Sequence, residues 1–510
     1  MTVAVGRGWA GVTLRRGLQT PAKRLTLTPL LIARRNHTLS AEKPATDDIF
    51  PSVTRHGGRK AGTSENGRLV LPQQNGGSRV QVSWDQDGLS LSDETSGRSL
   101  TFQPTQLRDS CTCPQCRDPS SGQKSFATAD IPTDVAIRSV AAELNLLHIT
   151  LDNGPPSQPH PTHTVTLPSS RITALLLQQQ KPPVSARVAT RRRFGQVHWD
   201  AATFAATAAA RKVDYDEYMQ PDSMAFWDVV RDLARYGLVF LKNVPGDEDA
   251  ISRITTRIAH IRETFYGRTF DVRAKPRAEN VAYTSGYLGL HQDLLYLDPP
   301  PHIQILHCLE NSCQGGESLF SDGDRVARML WQLSSEGHPL AGSLAEIKIP
   351  YAYDKNGHRY RRERTMLVGE DGDGERFGNY FWSPPFQGLF DRPEDLNQWI
   401  AGAKVFETAV NAPEAVYKTR MEPGDAALFD NLRVMHGRTA FDAEGGGSRW
   451  LRGAYIDGQD FFSTASHAPV THAVAADDEA GCWDERAHTD ELASSGWYED
   501  LLRRLERAGR

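Results

Sequence analysis

The chain has 510 residues, 39% of them hydrophobic, and a formal net charge of −5 at neutral pH. That length admits two or three domains and a large buried core. The weak net charge, with no long basic run after the first forty residues, argues against a nucleic-acid partner. No stretch reaches the roughly 18 consecutive apolar residues that a membrane-spanning helix requires, so no membrane partner is expected. Six cysteines in so long a chain do not make a secreted disulfide framework.

Taken in chain order, the first segment carries Arg7, Arg15, Arg16, Lys23, Arg24, Arg34 and Arg35 and has no acid before Glu42. Arg-rich, acid-free ends of this kind predict a mitochondrial transit peptide over residues 1–41 and a matrix destination, with the cytoplasm as the alternative. Residues 42–66 are polar, rich in Gly, Thr, Pro and Arg, and read as a linker. Alternation then begins: Val80, Val82 and Trp84, then Leu100 and Phe102, then the stretch from Leu146 to Leu151. This predicts a small β-rich domain over residues 67–178.

Glutamines, prolines and the triplet Arg191, Arg192, Arg193 mark a second linker, residues 179–215. Phe226, Val229, Val230 and Leu233 then share a helical face, with Gly237 as a stop before an apolar strand from Leu238 to Leu241. Ile251, Ile254, Ile258 and Ile261 repeat the helical spacing. Further on, Ile303, Ile305 and His307 alternate, Gly315 and Gly316 mark a turn, and Pro423-Gly424-Asp425 leads into Ala426 to Phe429. The fold class expected is mostly β with flanking helices, a double-stranded β-helix (jelly-roll) domain over residues 216–470. A C-terminal tail with a helix, residues 471–510, follows.

His291-Gln292-Asp293 puts an imidazole and a carboxylate two residues apart, so on a strand both face one side. A second histidine from a distant strand would complete a 2-His-1-carboxylate facial triad for Fe(II), leaving positions open for 2-oxoglutarate and O₂. His436, which follows a turn and a strand, is the natural third ligand. Arg449, thirteen residues later, is placed to grip the far carboxylate of 2-oxoglutarate with its two-pronged guanidinium. On spacing alone, satisfied core histidines and a surface arginine describe the same residues equally well.

These segments resemble the gamma-butyrobetaine dioxygenase and trimethyllysine dioxygenase family. The similarity runs from about Arg68 to Asp460 and is most specific over Asn280 to Gly286, His291-Gln292-Asp293, Ile305 to Leu309, Gly315-Gly316-Glu317-Ser318 and the region from His436 to Tyr455. The resemblance implies a taurine dioxygenase-like fold, with His291, Asp293 and His436 as catalytic iron ligands. It also implies Arg449 and Ser318 as 2-oxoglutarate contacts, and ascorbate as reductant. The small-molecule partner it implies is a quaternary-ammonium acid in an aromatic cage of Tyr266, Phe270, Tyr283 and Tyr455, with Asn280 beside them. Aromatic faces suit a cation that cannot donate hydrogen bonds.

Two positions depart from the butyrobetaine pattern. Phe270 stands where a tryptophan is usual, and Tyr380-Phe381-Trp382-Ser383-Pro384-Pro385 replaces a segment whose asparagines bind the substrate carboxylate. The function the resemblance implies is hydroxylation of gamma-butyrobetaine to carnitine, and the two departures leave trimethyllysine or another small acid as alternatives. A homodimer is compatible with the family.

Cys111-Thr112-Cys113-Pro114-Gln115-Cys116 supplies three thiols in one tight loop, and a downstream histidine would close a structural Cys₃His zinc site. The resemblance includes such a site. Its matching histidine is His163, with His160 and His148 open as alternatives. A reading of another class, a non-catalytic binding protein with a zinc module and a vestigial iron site, is opposed by the intact triad and Arg449.

Overall fold

The computed structural model describes residues 66–71, 79–152, 162–178, 185–273, 281–370, 376–390, 396–442, 447–473 and 490–508. The expected transit peptide, nearly all of the first linker, Asn280, His160 and Cys482 lie outside the described residues. The chain divides into two compact units, one ending at Ser170 and the other beginning at Arg171.

The first unit contains a four-stranded antiparallel sheet in chain order, Gly67–Leu71, Val80–Trp84, Leu89–Asp93 and Ser99–Phe102. It also contains a three-stranded antiparallel sheet of Ala136–Glu143, Leu146–Asp152 and Thr162–Pro168. The alternation seen in the sequence is the pleat itself: Val82, Leu89, Leu91, Leu147, Ile149 and Leu151 are fully buried, and their polar neighbours face out. The short helix Pro104–Asp109 has proline in its first turn and delivers the chain to the cysteine loop.

The second unit holds two sheets that supply opposite walls of one pocket. The larger runs in the order Phe270–Arg273, Arg449–Ile456, Ile303–Asn311, Ala426–Asp430, Leu238–Lys242, Val213–Asp214, antiparallel except for the last pair. The smaller runs Leu288–His291, Val434–Arg438, Ser318–Asp322, Tyr417–Thr419, antiparallel throughout. Helices Met224–Tyr236 and Ala250–Ile258 cover the outer face of the larger sheet, where Val229, Ile251 and Ile254 meet Ile303 and Ile305. The first of them begins at Ser223, whose hydroxyl accepts from the Phe226 amide, and stops at Gly237 with φ 74°.

Two local findings differ from the sequence reading, and one expected element is present. The second helix ends at Ile258 and does not run on through Ile261. The Arg262 amide donates to the Tyr455 carbonyl, and its guanidinium binds Asp457 and the Pro299 carbonyl, which draws the chain into an extended course. Within the stretch read as the second linker, Ala186–Phe194 is a helix capped by Ser185. Its Arg191 is buried against Asp324, an acid that also binds His198 and Gln196. The helix expected in the C-terminal tail, Gly496–Ala508, packs Leu501 and Leu505 into the cluster around helices Gly323–Ser335 and Leu396–Val410. Leucines at i and i+4 give it the apolar stripe that such docking needs.

Candidate active site

His291 closes the strand Leu288–His291 and pairs directly across the sheet with His436 of Val434–Arg438. Cross-strand partners project to the same face, and the two imidazoles lie with ring centroids 4.3 Å apart. Asp293 follows two residues later, its Oδ1 3.3 Å from His291 Nε2 and its Oδ2 3.8 Å from His436 Nε2. One ligand atom from each of the three falls within 4.8 Å of the others. Metal–ligand bonds of about 2.1 Å at right angles place neighbouring donors roughly 3 Å apart, so the donor set and its spacing fit a facial triad with open positions.

The surroundings fix the donor atoms. His291 Nδ1 lies 2.9 Å from the Gly289 carbonyl, which sets the tautomer that leaves Nε2 a lone pair. Burial and the neighbouring His291 push the His436 imidazole down to about 3, so it stands neutral, as a metal ligand must. Burial works to raise the Asp293 carboxyl, but the imidazoles beside it, His291 first, and the hydrogen bond it accepts from Tyr455 outweigh burial and hold it below the usual carboxylate range. Asn431, fully buried, clamps the Asp293 backbone from both sides: its Oδ1 accepts from the Asp293 amide at 2.8 Å, and its Nδ2 donates to the Asp293 carbonyl at 3.1 Å. Gln292, between His291 and Asp293, points the other way and binds Tyr380 and Trp382.

A pocket opens above this cluster. Arg449 and Ser318, the expected 2-oxoglutarate contacts, both line it and are both buried. Arg449 Nε donates to the Gly316 carbonyl at 3.2 Å, and burial lowers its guanidinium from the usual arginine value. Arg438, also in the wall, spends its terminal nitrogens on the carbonyls of Ala282, Thr284 and Gly286, and so braces the segment carrying Tyr283.

The four expected cage aromatics come together on the opposite side. Tyr266 lies 6.1 Å from Phe270 and 6.4 Å from Tyr283, centroid to centroid. Phe270 is stacked on Tyr455 at 4.9 Å and 21°. That spacing is direct ring contact, so a ligand meets the far face of Phe270 and not the gap between the two rings. No residue of the segment Tyr380 to Pro385 lines the pocket among the described residues. Tyr380 instead donates to the Arg433 carbonyl, and Trp382 packs against Trp399 and Phe406.

In the first unit, His163 Nε2 sits 3.2, 3.7 and 3.3 Å from the sulfurs of Cys111, Cys113 and Cys116. Zinc–sulfur and zinc–nitrogen bonds of about 2.3 and 2.0 Å imply tetrahedral edges of roughly 3.5–3.8 Å, so the four donors are compatible with structural zinc. His148 is turned to Thr166 instead. Burial pushes the Cys111 thiol up to about 12 and the His163 imidazole down to about 4. The buried Arg108 donates to Cys116 Sγ at 3.1 Å, where a thiolate would need a counter-charge.

Sequence reasoning missed Gln304 and Asn431. Gln304 occupies the face of its strand opposite Ile303 and Ile305, so the alternation that marked those two as core also marks Gln304 and Leu306 as pocket-facing. Asn431 carried no such signal, because it lies in the turn before the His436 strand.

Comparison with known proteins agrees with this geometry. Residues 200–455 match the family described as taurine catabolism dioxygenase TauD, TfdA family, and residues 73–158 match gamma-butyrobetaine hydroxylase-like, N-terminal. Similar proteins include "Dioxygenase str8" of Strobilurus tenacellus, 35% identical over 69% of this chain and 81% of that protein. Gamma-butyrobetaine dioxygenase of a Pseudomonas strain is 31% identical over 72% of this chain and 90% of its own length. Mitochondrial trimethyllysine dioxygenase of Mus musculus is 25% identical over 76% and 87%.

Proposed function

This chain belongs to the taurine catabolism dioxygenase TauD, TfdA family and is a 2-oxoglutarate-dependent dioxygenase, and from that premise we propose that it hydroxylates a small quaternary-ammonium acid, gamma-butyrobetaine first among them. The observation that carries the substrate class is the aromatic wall of Tyr266, Phe270 and Tyr283 facing the pocket that holds the His–Asp–His cluster.

In this reading His291, Asp293 and His436 hold Fe(II). Bound iron would supply O₂ activation and C–H oxidation, coupled to decarboxylation of 2-oxoglutarate to succinate, with ascorbate as reductant. Arg449 grips the far carboxylate of 2-oxoglutarate as a charged fork, and the Ser318 hydroxyl assists it. The rings of Tyr266, Phe270 and Tyr283, with the edge of Tyr455, attract the trimethylammonium group, and phenylalanine at 270 does so less strongly than an indole would. These groups position the substrate and exclude water; the oxidation itself belongs to the cofactor. Cys111, Cys113, Cys116 and His163 hold a structural zinc in the N-terminal domain.

Trimethyllysine is the second reading, favoured by the basic, acid-free first forty residues, which suit the mitochondrial matrix. Incubating the iron-loaded enzyme with butyrobetaine, trimethyllysine and other small acids, and measuring succinate for each, tests both readings. Stimulation by butyrobetaine is expected. Stimulation only by an acid without a quaternary nitrogen would overturn the substrate class.

A further inference from the structure

Asp293 offers two carboxylate oxygens, and they do not have the same surroundings. Oδ2 accepts from Tyr455 Oη at 2.7 Å and from Gln304 Nε2 at 2.9 Å. Each carboxylate oxygen has about two lone-pair directions, so these two donors fill Oδ2 and leave Oδ1 for another partner. Oδ1 is the oxygen that lies 3.3 Å from His291 Nε2.

Both donors come from one place in the fold. Gln304 and Tyr455 are direct cross-strand partners on the larger sheet, so their side chains leave the same face and reach the same atom. Gln304 is buried, with 2% of its surface exposed, as is Tyr455, also 2%. The Tyr455 ring is held in turn by Phe270 stacked on it. That stack exists because residue 453 is glycine: a Cβ there would lie 2.2 Å from the Phe270 ring.

We propose that Tyr455 and Gln304 are positioning residues which together hold Asp293 Oδ2 so that Oδ1 alone is presented to the metal. Tyr455 is then more than a wall of the substrate pocket. Its hydroxyl belongs to the metal site and its ring to the aromatic stack, so one side chain joins the two. This rests on the reading of His291, Asp293 and His436 as metal ligands. It is independent of which substrate the enzyme takes.

The test is metal affinity without substrate, measured by titrating the iron-free full-length protein, its Cys₃His cluster kept filled with zinc, with Co(II) and following the visible absorption of the bound ion. Tyr455→Phe keeps the ring and removes only the hydroxyl. Gln304→Met keeps the length and removes the donor. Each is expected to weaken Co(II) binding by about 10- to 100-fold, the usual cost of removing an outer-shell partner, while the melting temperature of the iron-free, zinc-filled protein stays near wild type. Co(II) affinities within about twofold of wild type in both variants overturn the proposal. If one variant fails to fold, the other decides. Asp293→Ala separates this outcome from failure of the ligand assignment itself: it must abolish the Co(II) spectrum, and if it does not, the site reading fails first. Succinate release in Tyr455→Phe supplies a second split, because saturating metal should restore most of the turnover if the hydroxyl acts through the metal ligand.

Discussion

Arg449 passes over Gly316 so closely that a Cβ on residue 316 would lie 2.9 Å from Arg449 Cδ and 3.1 Å from its Nε. Gly316 also has φ 72°, a region that disfavours side chains. Gly316→Ala is therefore expected to displace the guanidinium and raise the apparent KM for 2-oxoglutarate about tenfold or more, roughly 1.4 kcal/mol. Arg449→Lys should do the same by replacing a fork with a point charge. Initial rates against 2-oxoglutarate concentration check both. An unchanged 2-oxoglutarate dependence in Arg449→Lys would move the anchoring role to another arginine.

His291→Ala and Asp293→Ala each remove one of three protein donors and are expected to abolish turnover with the fold retained. Asp293→Glu should be almost as damaging, because the added methylene carries the oxygen away from the hydrogen bonds of Tyr455 and Gln304. Iron content by elemental analysis, together with far-UV circular dichroism, distinguishes a lost ligand from a lost fold. Ordinary iron content with wild-type activity would sink the assignment.

The cage predicts a charge preference. Tyr266→Leu keeps apolar bulk but loses the ring quadrupole, and the expected loss of binding for a quaternary-ammonium substrate is about 1–2 kcal/mol, or roughly five- to thirtyfold. A neutral analogue with tert-butyl in place of trimethylammonium should lose much less. Equal affinity of the wild type for charged and neutral forms would mean that the aromatic wall is ordinary core.

Elemental analysis of the full-length protein should find about one zinc in addition to iron. The zinc should disappear from a Cys111→Ser, Cys113→Ser double variant. A wild-type protein with no zinc and an undiminished melting temperature would refute the structural site.

His307 gives a pH prediction away from the metal ligands. It is fully buried, neither ring nitrogen has a hydrogen-bond partner among the described residues, and burial pushes its imidazole down to about 4. A depressed histidine takes up its proton more readily in the unfolded chain. Stability is therefore complete above about pH 6.5 and falls as the pH drops towards 4, by up to about 3 kcal/mol from this one group. His307→Leu removes that slope. Urea midpoints between pH 6.5 and 4 should decline less steeply in the variant, and equal slopes would contradict the assignment.

Much of this site could be read from the sequence because it depends on short periods. A spacing of two put His291 and Asp293 on one face and sent Gln292 to the other. Gly237 ended a helix whose buried face follows from the spacing of Phe226, Val229, Val230 and Leu233. Three cysteines within six residues could scarcely avoid one another. What could not be read depends on register between distant strands. Nothing local in the sequence says that Gln304 faces Tyr455, that both reach Asp293 Oδ2, or that Arg191 ends in a buried ion pair with Asp324. The same holds for Tyr380 to Pro385: its departure from the butyrobetaine pattern was visible, but its withdrawal from the pocket wall follows from the partners of Gln292 and Arg433.

The pairing of His291 with His436 has a consequence for how the protein is made. At roughly 5–20 residues per second, His436 leaves the ribosome on the order of ten seconds after Asp293. Until then the triad offers one imidazole and one carboxylate, too few donors to retain iron, and the strand ending at His291 lacks its partner Val434–Arg438. Gln304 emerges soon after Asp293, but Tyr455 comes later still. On the proposed assignment, metal capture is thereby deferred until the two histidine strands pair, and a ribosome stalled between the two histidines would release a polypeptide without the complete donor set.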